Sequence, residues 1–315
     1  MTRSWSTASR AGWSAAAGTA SKAAPGSSAG RVESTRAPEV RSLTIADSAA
    51  LELLAEVPDR AGLCCDFDGT IAPIVPDPHA ARALPGALAA LHGLARELAA
   101  VAVISGRPAP FLADRLELAD YRSPLRAIGL HGLEESFQDG SVRLHEGVAE
   151  WRPVIETVRD QLRGTLPSGI QVEDKSYGVT AHWRSMIAPE AQLEAVAVQA
   201  TEVARAVAAE HGLVLLPGKA SVELALPLGI DKGTVVTELC GELERAAFLG
   251  DDAGDLFAFR ALDKLRIASG LRTLKVAVAG AEVPSALVEA ADLVLEGPGA
   301  AVGFLEALAA RVTSS

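Results

Sequence analysis

Aromatic side chains are scarce in this sequence: Phe, Trp and Tyr make up 4% of its 315 residues, so Ala, Leu and Val must fill whatever core it forms. Cysteine is scarcer still. Cys64, Cys65 and Cys240 give neither a disulfide framework nor a metal–thiolate spacing. The adjacent pair reads as buried core thiols in a reducing cytoplasm. No run approaches the roughly 18 apolar residues that a bilayer requires, which excludes a membrane-spanning helix. Positive charge is also short. The net charge is −11, and residues 1–32 hold +4 with no acid, which leaves −15 on the remainder. So acidic a body lacks the basic face that nucleic acid demands. It does not exclude a small phosphate ester, which needs only local positive charge.

What is present fits a globular protein: 49% hydrophobic and 22% charged residues. The length suggests two domains plus extra segments. Residues 1–42 are rich in Ala, Ser, Gly and Arg and lack hydrophobic periodicity, so they are expected to be a disordered, solvated extension. Arg and Ser without acids resemble a transit peptide, but no amphipathic face appears, and there is no apolar segment of a secretory signal.

From residue 43 short apolar runs alternate with helical ones. Strands are expected at 62–67, 101–104 and 126–130, and helices at 85–99 and 108–118. Such alternation implies right-handed βαβ units and a parallel sheet covered on both faces. The pattern then changes. A hairpin around Asp139-Gly140, a helix at 151–166, strands at 170–173 and 178–183, a long helix at 190–210 and a strand at 213–216 read as a separate α+β insert. Alternation returns with strands at 222–226, 246–249, 274–278 and 293–295, and helices at 232–240, 255–261 and 301–311. The expected architecture is therefore α/β: a three-layer, Rossmann-like parallel sheet at 43–130 and 219–315, with an inserted α+β cap at 131–218.

The sharpest feature is Asp66-Phe67-Asp68-Gly69-Thr70, directly after an apolar strand. Side chains two apart on a strand point the same way, about 6.5–7 Å apart. Both carboxylates thus emerge at the carboxyl end of the strand, where open α/β sheets bind ligands. One can attack phosphorus while the other gives a proton to the leaving oxygen and later takes one from water. Two acids facing a phosphate need a divalent cation between them, and oxygen ligands suit Mg²⁺. The bland alternative is a turn, since Asp and Gly are turn residues.

Three further pieces lie at later strand or helix ends. Ser105, in Ile104-Ser105-Gly106-Arg107, offers a hydroxyl for a phosphate oxygen. Lys232 opens a helix behind Asp231 as N-cap, where a cation opposes the helix dipole at a cost of about 0.3–1 kcal/mol unless an anion binds there. Gly250-Asp251-Asp252-Ala253-Gly254-Asp255 concentrates three acids at a strand end, a costly cluster without a cation. Asp251 is the natural metal ligand, with Asp252 and Asp255 holding ligands or waters in place.

These four pieces, in this order, resemble the motifs of the haloacid dehalogenase-like phosphatases. Within them the chain is similar to the trehalose-6-phosphate phosphatases, through Ser105-Gly106-Arg107, His131-Gly132-Leu133-Glu134, Glu173-Asp174-Lys175, His182-Trp183-Arg184, and Gly218-Lys219 with Glu223. The resemblance implies that Asp66 is the nucleophile and Asp68 the general acid/base, with Ser105 and Lys232 completing the catalytic set. It implies Mg²⁺ held by Asp66, the backbone carbonyl of Asp68, and Asp251. It also implies substrate binding by Arg107, Glu173, Lys175, Arg184, Lys219 and Glu223, within a mobile cap. The expected enzyme is a cytoplasmic monomer in trehalose biosynthesis, acting on a sugar phosphate and working with a trehalose-6-phosphate synthase. The rival expectations are a phosphatase for sucrose phosphate or a glycosylglycerate phosphate, and a catalytically silent sugar-phosphate sensor.

Overall fold

A computed structural model describes residues 45–314 apart from 185, 188, 219 and 282. The expected disorder of residues 1–42 and the expected role of Lys219 therefore lie outside the described residues.

The elements alternate as the sequence suggests. In order they are α1 (Ile45–Ala55), β1 (Ala61–Cys65), α2 (Ala87–Glu97), β2 (Ala100–Ile104), α3 (Ala109–Arg115), α4 (Leu118–Tyr121), β3 (Arg126–Gly129), β4 (Glu134–Ser136) and β5 (Val142–Leu144). Then come α5 (Arg152–Thr165), β6 (Gln171–Asp174), β7 (Gly178–His182), α6 (Glu190–His211), β8 (Val214–Gly218) and β9 (Ser221–Ala225). The chain closes with α7 (Lys232–Cys240), β10 (Arg245–Gly250), α8 (Asp255–Ser269), β11 (Arg272–Ala279), α9 (Ser285–Ala290), β12 (Leu293–Glu296) and α10 (Gly297–Val312).

The large sheet runs β12-β11-β10-β1-β2-β3-β4-β5, parallel from β12 to β3. The central strand β1 is buried along its whole length, as a strand covered on both faces must be. Its side chains alternate between two cores. Leu63 and Cys65 join Leu54, Leu91, Leu112 and Leu305 on one face, and Cys64 joins Val236, Phe259 and Leu287 on the other. A third core forms where α5 and α6 cover the smaller sheet β6-β7-β9-β8, with Ile155, Val158, Val179, Val207, Val222 and Leu224 buried together.

The strands at both ends of the expected insert change sides. The hairpin β4–β5, expected in the cap, extends the large sheet by antiparallel pairing with β3, with Ala127 opposite Ser136. Only a short turn separates β4 from β3, so the preceding strand's open edge is the nearest partner. Conversely β9, expected as a strand of the parallel core, pairs with β7 and β8 in the smaller sheet. The boundary expected at 218 thus cuts that sheet between its two hairpin-linked strands. The alternation of buried Val222 and Leu224 with half-buried Glu223 and Ala225 is that of a strand with one open face, not of a core strand. Two helices, α1 and α9, have no counterpart in the sequence reading, and the single helix expected at 108–118 breaks where Glu117 turns left-handed (φ 52°).

Candidate functional site

The site grows from the carboxyl end of β1. Asp66 leaves the strand with its N–H still bonded to the Leu249 carbonyl at 2.9 Å, and its side chain is buried. Gly69 then takes a left-handed turn (φ 81°) that few other residues accept. A Cβ there would lie 2.0 Å from Asp251 Oδ2, so only glycine lets the two loops meet. Thr70 Oγ1 completes the junction by donating to Asp251 Oδ1 at 2.9 Å.

Lys232 is the first residue of α7, and it is as buried as a core leucine. Asp231 caps the helix by accepting from the Thr234 N–H at 2.9 Å, with Thr234 returning a bond to the Asp231 N–H. This fixes the Lys232 backbone, and its ammonium reaches 2.7 Å from Asp255 Oδ1, 3.1 Å from Asp66 Oδ1 and 3.9 Å from Asp252 Oδ1. Asp255 is fully buried, and its second oxygen accepts from the N–H groups of Asp251 and Asp252 at 2.8 and 2.9 Å. One carboxylate thereby ties the acidic loop after β10 to the lysine of α7.

Three carboxylates lie within 4 Å of one ammonium, with Asp251 in the same field, and their protonation reflects it. Burial pushes Asp66 well above the usual carboxylate range against the pull of Lys232, with Asp255, Asp252 and Asp251 adding to the rise. Burial, with Asp255 next, lifts Asp251 to about 7. Burial lifts Asp255 to about 6 although Lys232 opposes it. Burial works against the charge of Lys232, but Asp255, Asp66 and Asp252 together hold it well above the ordinary lysine value. The donor set is all oxygen, and oxygens of Asp66, Asp252 and Asp255 lie within 4.8 Å of one another. Asp66 Oδ1 is buried without an aligned hydrogen-bond donor, its contact with Lys232 being ionic only. An excess of buried negative charge with a free oxygen fits a hard divalent cation. Asp255 is occupied by Lys232 and two amides, so it supports the site, and Asp251 faces the 68–70 loop from the other side.

A second pair of loops flanks this cluster. Ser105 is buried after β2, and its Oγ accepts from the Arg107 N–H at 3.3 Å. Arg107 grips Asp68 through two hydrogen bonds and stacks over the Phe111 ring, 5.1 Å from its centroid. Buried Glu134, from β4, accepts from the Ala109 N–H at 2.6 Å and so closes the start of α3 behind this loop.

In the smaller sheet, cross-strand register places Glu173, Thr180, Glu223 and Leu216 in one row on the face opposite the α5–α6 core. Glu173 bonds His182 at 2.8 Å, and Lys175 bonds Glu223 at 2.8 Å. Both contacts join side chains of neighbouring strands or the turns at their ends. The face looks toward the core site: the His182 hydrogen bond chiefly, then Lys175 and lastly the field of Arg107, hold Glu173 below its ordinary value, and Glu223 and Lys175 both act on His131. Arg184 is exposed beyond β7. Of the residues expected at the site, Asp66, Asp251, Asp252, Asp255 and Lys232 converge in one cluster, and Asp68, Ser105 and Arg107 form its neighbour. Thr70, His131 and Glu134 carry no expected role of their own. Their contacts come from loop closure and from left-handed backbone, which spacing does not reveal.

A parallel α/β sheet whose central strand ends at a buried aspartate against a lysine, with an α+β insert, is the haloacid dehalogenase-like fold. The C-terminal domain of the Candida albicans trehalose-6-phosphate phosphatase shares this fold, with a TM-score of 0.64 at 22% identity over 83% of this chain and 96% of that one. So does the Aspergillus fumigatus trehalose-6-phosphate phosphatase, at 0.58 and 24% over 84% and 97%. The family described as trehalose-phosphatase matches residues 64–290, and the chain belongs to that family. It is also 35% identical over 212 residues to the trehalose-phosphate phosphatase of Mycobacterium marinum, covering 64% of this chain and 52% of that protein. The chain thus spans about half the length of the curated relatives it matches.

Proposed function

We propose that this chain hydrolyses trehalose 6-phosphate to trehalose and inorganic phosphate through an aspartyl-phosphate on Asp66. The observation that carries this reading is Asp66 Oδ1: buried, without an aligned hydrogen bond, and 3.1 Å from the Lys232 ammonium at the end of the central strand. In the first step an Asp66 oxygen attacks phosphorus and the bond to the sugar oxygen breaks, while Asp68 gives that oxygen a proton. In the second, Asp68 takes a proton from water, which attacks phosphorus and frees Asp66. Lys232 and the Ser105 hydroxyl hold phosphate oxygens, and Asp255 keeps Lys232 in place. Mg²⁺, held by Asp66, Asp251 and the backbone carbonyl of Asp68, would supply the positive charge that lets an anion approach an anionic ester. Glu173, Lys175, Glu223 and Arg184 hydrogen-bond sugar hydroxyls from the insert, which acts as a cap that excludes water. Among the described residues no helix is long and apolar enough to cross a membrane. A cytoplasmic monomer supplied with substrate by a trehalose-6-phosphate synthase completes the reading.

Phosphate release from trehalose 6-phosphate, sucrose 6-phosphate, a glycosylglycerate phosphate and glucose 6-phosphate, measured with Mg²⁺, tests it. The highest kcat/KM is expected for trehalose 6-phosphate. An inert trehalose 6-phosphate beside a cleaved rival would overturn it.

A further inference from the structure

Residues 130–132 carry backbone strain beside the site. Leu130 and His131 are both left-handed (φ 48° and 59°), and Gly132 has φ 122°. For residues with a side chain this costs about 1–2 kcal/mol each, and such strain persists where the surroundings impose it for a purpose. The surroundings do impose it. The His131 N–H bonds the Ser105 carbonyl and the Leu130 N–H bonds the Arg107 carbonyl, each at 2.9 Å. A Cβ on Gly132 would lie 2.7 Å from the Val235 side chain and 2.9 Å from that of Ile230, which seats the turn against α7.

The strained turn delivers one polar group, the His131 imidazole. Gly106 makes room for it, since a Cβ there would lie 2.8 Å from His131 Nε2. The residue is half-buried, and neither ring nitrogen hydrogen-bonds another of the described residues. Its charged neighbours come from two directions: Lys232 and Asp252 from the phosphoryl site, Glu223 and Lys175 from the insert. Burial first, then Lys232, brings its pKa down to about 4, so the ring is neutral at physiological pH. A neutral imidazole offers one donor and one acceptor, which suits a hydroxyl better than an anion.

We propose that His131 is a specificity-determining residue that hydrogen-bonds a hydroxyl of the phosphorylated sugar, at the junction of the phosphoryl site and the insert. It thereby favours sugar phosphates over esters with no hydroxyl at that place. The inference rests on the phosphatase reading and adds a contact from the core to those proposed for the insert.

The test compares kcat/KM for trehalose 6-phosphate with kcat/KM for p-nitrophenyl phosphate, which has no sugar hydroxyl. Two variants are used, His131→Asn and His131→Gly, because both residues accept a left-handed backbone. The ratio of the two constants should fall roughly tenfold in each variant, the worth of about one hydrogen bond. An unchanged ratio, whether both activities drop together or neither does, overturns the inference while leaving the phosphatase reading intact. A wild-type protein that cleaves the aryl ester but no sugar phosphate overturns both.

Discussion

Arg107 holds both carboxylate oxygens of Asp68, with Nε 2.7 Å from Oδ2 and Nη2 2.8 Å from Oδ1. This planar two-bond grip fixes the orientation of the acid, which a single flexible ammonium cannot do. In the proposed reaction Asp68 must meet the leaving oxygen and later a water, so its orientation enters the transition state more than substrate binding. Arg107→Lys should therefore lower kcat roughly a hundredfold, the usual cost of misplacing a reacting group by about 1 Å, with a smaller change in KM. Steady-state kinetics check this, and an unchanged kcat would contradict it.

Lys232 is the only cation within 4 Å of both Asp66 and Asp255 among the described residues, and all three are buried. Removing one partner of a buried ionic cluster leaves the others uncompensated, at about 3–5 kcal/mol. Lys232→Met should lower unfolding free energy by that order in urea titrations without divalent cation, and phosphate release should vanish. A variant as stable as the wild type would show that the ammonium does not balance the cluster.

The acidic cluster also sets a pH dependence. Asp251, Asp255 and Asp66 all have folded-state pKa values raised above those of an unfolded chain, Asp251 to about 7 and Asp255 to about 6. Over the window from about pH 4 to about pH 7 these three carboxylates hold protons that the unfolded chain has released; His131, lowered to about 4, works the other way, but the three raised acids outweigh it, so stability falls as pH rises. In EDTA, the melting temperature should decline through that window. Excess Mg²⁺ should raise it most at the upper end, where the carboxylates are charged and free to bind. A cation-free melting temperature that is flat or rising across the window would refute the assignment.

Glu134 makes a structural prediction. Its buried carboxylate accepts from the Ala109 N–H at 2.6 Å and satisfies a donor in the first turn of α3. Glu134→Ala should cost about 1–2 kcal/mol, as does the loss of other helix caps. Denaturation midpoints measure it, and a neutral effect would mean that water replaces the carboxylate.

The core and its chemistry were legible because they are local in sequence. Strand β1 with Asp66 and Asp68 behind it, α7 with Asp231 as its cap, and the acids after β10 are each a run of neighbours whose spacing fixes their direction. The smaller sheet was harder to place. Val222-Glu223-Leu224 alternates as a half-open strand, yet its nearness to Lys232 suggested the core, and pairing with β7, from His182 opposite Ser221 to Gly178 opposite Ala225, has no local sign. Glu134 looked like part of the insert because Asp139-Gly140 marks a hairpin but not the sheet that hairpin joins. Nor does composition show that Arg107 turns to Asp68, or that His131 is left-handed. Both follow from loops that meet only once the parallel sheet has formed.

The most direct test of the whole account is chemical. Wild-type protein mixed with trehalose 6-phosphate and Mg²⁺, quenched in acid and mapped by mass spectrometry, should carry one phosphoryl group on the peptide containing Asp66. Asp66→Asn should show no such adduct and release no phosphate. An adduct on another residue, or phosphate released by the variant at the wild-type rate, would contradict Asp66 as the nucleophile.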